Sequence, residues 1–128
     1  MTPLEIFAAA GLAAVVIAIL HIATTREETG SSVIAATLCG LFLGYSLVTV
    51  ISDGVMPVWV NHTTNMWGVQ VWWDLLFAVG IATFFIVPRA RAQGMNVPLW
   101  LLFVVSTASI GLLAMVARLF WLEKRTTS

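Results

Sequence analysis

Two side chains of opposite charge, Asp74 and Arg118, lie inside long apolar runs of the sequence. An unpaired carboxylate within a bilayer costs on the order of 2–3 kcal/mol, so intramembrane acids mark ion paths, proton relays, general acids or interhelical pairs. Gln70 stands one helical turn before Asp74 and would share its face. Arg118 is the one basic residue within an apolar run, a turn away from Trp121. If the two runs are antiparallel helices, Asp74 and Arg118 fall in the same leaflet. The spacing then predicts that they pair, or share a hydrogen-bonded network with Gln70. Such a pair can serve only to lock two helices together.

The remaining chemistry-bearing residues are sparse. His21 ends the first apolar run and His62 lies in a later polar segment. Four antiparallel spans would put the two imidazoles on opposite sides of the bilayer, too far apart to flank one haem iron. Either could still ligate a single tetrapyrrole metal, although an interfacial histidine bonded to backbone or water is the plainer reading. Asp74 is the candidate catalytic acid, with Glu5 as a second carboxylate on the same side. Tyr45 and Ser46 add polar groups without a catalytic arrangement. There is no nucleophile triad, metal-ligand spacing or phosphate loop. No metal or organic cofactor is predicted, which leaves room for a bound lipid or pigment.

The elements that must position these residues follow from composition. Of the 128 residues, 60% are apolar and 9% charged, against about 25% charged in a soluble domain. Six basic residues offset six acidic ones, and no basic patch exists to hold nucleic acid. The single Cys39 cannot form an internal disulfide. The first apolar run has no basic segment before it and exceeds a signal-peptide core, so it reads as a retained helix.

The expected fold is all-α: a polytopic membrane protein with four transmembrane helices in an antiparallel bundle. The helices fall over approximately 4–23, 33–51, 68–87 and 98–122, in a single membrane domain over residues 1–128. Thr2, Pro3 and Glu5 form a capping-box signature at the start. Trp100 and Trp121 are 21 residues apart, about 31 Å along one helix, which suits an anchor in each interfacial belt. The 52–67 connection mixes Val55, Met56, Trp59 and Trp67 with Asn61, His62 and Thr63. It reads as an interfacial segment, with Trp59 and Trp67 as anchors. Ala36, Gly40 and Gly44 make a small-residue stripe that lets a second helix approach closely, either the first helix, rich in alanine over 8–14, or another chain, with packing inside the chain the simpler reading. Basic residues divide three against three between the sides: Arg26, Arg89 and Arg91 on one, Arg118, Lys124 and Arg125 on the other. Orientation is therefore undetermined.

The second half resembles a family of small bacterial inner-membrane proteins known as a domain of unknown function. The resemblance is carried by Asp74-Leu75-Leu76-Phe77, Arg91-Ala92-Gln93-Gly94, Trp100, Leu119-Phe120 and Glu123. Pro88 stands where that pattern often has an acid, and Glu123 comes later than its usual Arg-Glu ending. The resemblance implies a helical fold and an inner-membrane location, and it brings no activity. The function expected from the residues is a non-catalytic accessory or scaffold subunit of a larger membrane complex, respiratory or photosynthetic. Its partners would be the lipid bilayer and other membrane subunits or further copies of the chain. Two alternatives carry distinct tests: an isoprenoid- or carotenoid-modifying cyclase or isomerase using Asp74, and a small oligomeric transporter with Asp74 in its path.

Overall fold

The computed structural model describes residues 1–26 and 29–127, and every described element is a helix, a turn or a connection. The chain divides into two compact units, Met1–Gly30 and Ser31–Ser128.

The first unit is built on α1, Pro3–Thr24. Its start is the expected capping box: the Thr2 hydroxyl accepts from the Glu5 N–H at 3.2 Å, and the Glu5 carboxylate accepts from the Thr2 N–H at 2.7 Å. Two otherwise orphaned donors are thereby satisfied. At the other end, the Thr24 hydroxyl bonds back to the Leu20 carbonyl and the Thr25 N–H to the His21 carbonyl.

The second unit holds α2 (Ser32–Asp53), α3 (Met56–Thr63), α4 (Met66–Ala92), α5 (Val97–Thr107) and α6 (Ser109–Thr127). Ser31, Asn65 and Asn96 each cap the helix that follows through a side-chain oxygen, as short polar residues do where the backbone leaves donors free. Three helices, α1, α2 and α4, are long and apolar enough to cross a membrane, and α5 is a shorter apolar helix. These lengths and compositions are those of an integral membrane protein.

The single span expected over 98–122 is two helices instead. Ala108 takes φ 54°, and the chain reverses there. The local sequence explains the break. The Ser106 and Thr107 hydroxyls bond back to the Leu102 and Phe103 carbonyls, competing with the helix ladder. The Thr107 oxygen also accepts from the Gly111 N–H at 2.8 Å, capping the first turn of α6. Along one straight helix, residues 103 and 111 would be about 12 Å apart. Here a Cβ on Gly111 would lie 2.7 Å from the Phe103 carbonyl oxygen, so α6 folds back directly against α5.

The core forms where this hairpin meets α4. Ala90, Val97, Val104 and Met115 are buried together, with Ile86, Trp100, Leu101 and Leu112 packed around them. Leu119 is fully buried further along α6. Helix α2 lies on α6, with Ala35 buried and the Cys39 thiol donating to the Ile110 carbonyl at 3.4 Å. Helix α3 packs on the start of α4 and occupies the middle of the 52–67 connection.

Candidate functional site

Asp74 lies in the first half of α4 and is exposed. Its carboxylate makes no hydrogen bond or ion pair with any described residue. The direct Asp74–Arg118 pair expected from the sequence does not form, and Gln70 does not bridge them. The reversal at Ala108 carries Arg118 toward the Arg89 end of α4, away from the leaflet of Asp74, and helical rotation adds a second reason. The residues of α4 that pack toward the core include Val79, Ile86 and Ala90. At 100° per residue, Asp74 sits about 140° around the helix from Val79 and about 160° from Ala90.

Arg118 has a different neighbour. Its guanidinium lies 4.6 Å from the Trp121 ring centroid, and that of Arg125 lies 4.6 Å from the same ring. A cation over an indole is favourable, and it occupies the Arg118 head on its own helix. The ion pair that does join α4 to α6 is Arg89–Glu123, bidentate at 3.1 and 2.9 Å. The Arg89 guanidinium also lies 5.5 Å from the Phe120 ring. Both ends of this pair read as ordinary loop charges in the sequence, although Arg89, one residue after Pro88, is the kind of helix-terminal cation that seeks a carboxylate.

The histidines fall in separate units. His21 is exposed near the end of α1. His62 is held: its Nδ1 is 2.6 Å from the Val58 carbonyl oxygen. A carbonyl only accepts, so Nδ1 carries a proton and donates it to Val58. Trp72 of α4 lies against the imidazole at 5.3 Å, and Trp59 meets Trp72 edge-on at 6.4 Å. Gly68 makes this packing possible, because a Cβ there would come 2.5 Å from the Asn61 carbonyl oxygen. Among the described residues, no group of three or more His, Cys, Asp or Glu side chains could hold a metal ion.

Among the described residues of this unit the small-residue stripe on α2 carries no helix contact. Ala36, Gly40 and Gly44 are exposed, and a Cβ on either glycine would meet nothing within 4 Å. Ala36, Gly40 and Gly44 lie about 100°, 140° and 180° around α2 from Ala35, the residue seated against α6. Of the expected anchors, Trp59 and Trp67 are exposed on α3 and the first turn of α4. Trp100 packs into the core, and Trp121 sits between Arg118 and Arg125 on α6. The break at Ala108 removes the continuous helix that would have held Trp100 and Trp121 in opposite belts.

A shallow groove of about 460 Å³ runs along α4, lined by Gly80, Thr83, Phe84, Val87, Pro88 and Arg91, with Leu101 of α5 at its edge. Asp74 is not part of it. No protein-family model, curated protein or solved structure matches the chain.

Proposed function

We propose that the chain is a non-catalytic accessory subunit that assembles laterally with other membrane proteins, in a bacterial inner membrane as the likeness of its second half suggests. The observation that carries this reading is Asp74. It is an acid on a helix of spanning length, turned away from its own core, with no partner among the described residues. An intramembrane carboxylate of this kind gains most from a donor or cation on a neighbouring subunit. The open Ala36, Gly40 and Gly44 face of α2 supports the same reading, since small residues allow close helix approach in lipid. Isoprenoid chemistry is less well supported. Its general acid would have to face a cavity, and Asp74 points about 120° away from the Gly80–Arg91 groove.

Native electrophoresis of the full chain, extracted from its own membranes in mild detergent, tests the proposal. The expected result is a discrete complex well above 13.9 kDa. Asp74→Leu should dissociate it while helicity by circular dichroism is retained. A wild-type chain that migrates as a monomer, or an Asp74→Leu variant that stays in the complex, would overturn the reading.

A further inference from the structure

We propose that the groove on α4 holds one acyl chain of an anionic phospholipid, with the lipid phosphate on Arg91. Gly80, Phe84, Val87 and Arg91 recur at four- and three-residue steps and so form one stripe of the helix. Gly80 keeps the stripe open beside Phe84: it has no side chain, and a Cβ there would meet nothing within 4 Å. Pro88 adds a second interruption, since it has no N–H to return to the Phe84 carbonyl. The one hydroxyl on the floor, that of Thr83, already donates to the Gly80 carbonyl at 2.8 Å. The walls therefore ask for an apolar occupant.

Length and charge choose which one. From Gly80 to Arg91 is eleven residues, about 16 Å of helix, close to half of a hydrocarbon core about 30 Å thick. One leaflet's acyl chain fits that span. Helix α4 has 27 residues, about 40 Å, so its last turn reaches headgroup depth. Two arginines stand in that turn, and they differ. Arg89 is neutralised by Glu123, whereas Arg91 has no carboxylate within 4 Å among the described residues. A free guanidinium at the mouth of an apolar channel matches a phosphate with a chain attached, because an arginine fork binds phosphate oxygens in pairs.

Native mass spectrometry of the delipidated full chain, titrated separately with phosphatidylglycerol and phosphatidylcholine of identical acyl chains, tests this. The expected result is one retained phosphatidylglycerol, preferred over phosphatidylcholine by about fivefold, the factor for one arginine near a charged headgroup. Arg91→Gln should abolish the preference and Arg91→Lys should keep it. Gly80→Phe should fill the channel and weaken both lipids. Equal binding of the two lipids, an unchanged preference in Arg91→Gln, or full displacement by inorganic phosphate would each overturn the proposal. Arg91→Lys and Gly80→Phe leave the charge at position 91 intact, so they test the groove even if Arg91→Gln fails to fold.

Discussion

Single residues decide more of this structure than their number suggests. Ala108 holds a conformation, φ 54° and ψ −113°, that a Cβ disfavours and glycine adopts freely. Ala108→Gly should therefore stabilise the chain by about 1 kcal/mol, read as a higher midpoint in detergent unfolding. Gly68 is the converse case. Gly68→Ala gains helix propensity but drives a methyl into the Asn61 carbonyl, so a net loss of roughly 1–3 kcal/mol is expected. Altered Trp72 fluorescence should accompany it, since the His62–Trp72 contact depends on the same approach. The Arg89–Glu123 bridge has side-chain exposures of 44% and 16%. Solvent at the Arg89 end screens it, and a double-mutant cycle should return a coupling of roughly 0.5–1 kcal/mol. The capping box at Thr2 and Glu5 is readable in the sequence because both partners lie within one turn. That Asp74 and Arg118 stay apart is not readable there, because it depends on the reversal at Ala108 and on which distant residues α4 buries.

At the scale of elements, hydropathy locates α1, α2 and α4 to within a few residues at most ends, since long apolar runs admit few alternatives. It mistakes the hairpin of α5 and α6 for one helix. Apolar residues continue through Ala108, and the signals that break the run are small: two hydroxyls at 106 and 107 and a glycine at 111. Hydropathy is blind to them because each hydroxyl is satisfied by a carbonyl one turn back. Packing within the hairpin can be measured. Met115→Ala should cost about 2 kcal/mol, the low end of values for truncating a buried methionine, because lipid does not penalise apolar surface as water does. Leu119→Ala should behave alike, whereas Leu102→Ala, on an exposed position of α5, should leave stability within about 0.5 kcal/mol of wild type.

For the second unit as a whole, the hairpin redistributes charge. Because α6 returns to the end of α4, Arg118, Lys124 and Arg125 join Arg89 and Arg91 at one end, tied there by the Arg89–Glu123 bridge. The three-against-three balance of a four-span reading gives way to five basic residues on one side. That side should face the cytoplasm. A fluorescent protein fused after residue 128 should light up in a bacterial host, and an alkaline phosphatase fused there should stay inactive. The reverse pattern would rule out this arrangement of α6. Finally, the contact between Cys39 and Ile110 spans 71 residues of chain. At roughly 5–20 residues per second of synthesis, α2 waits about 4–14 s before its partner helix exists. During that interval its Ala35 and Cys39 face is bare to the lipid, a window in which a chaperone or a wrong helix can occupy the seat of α6.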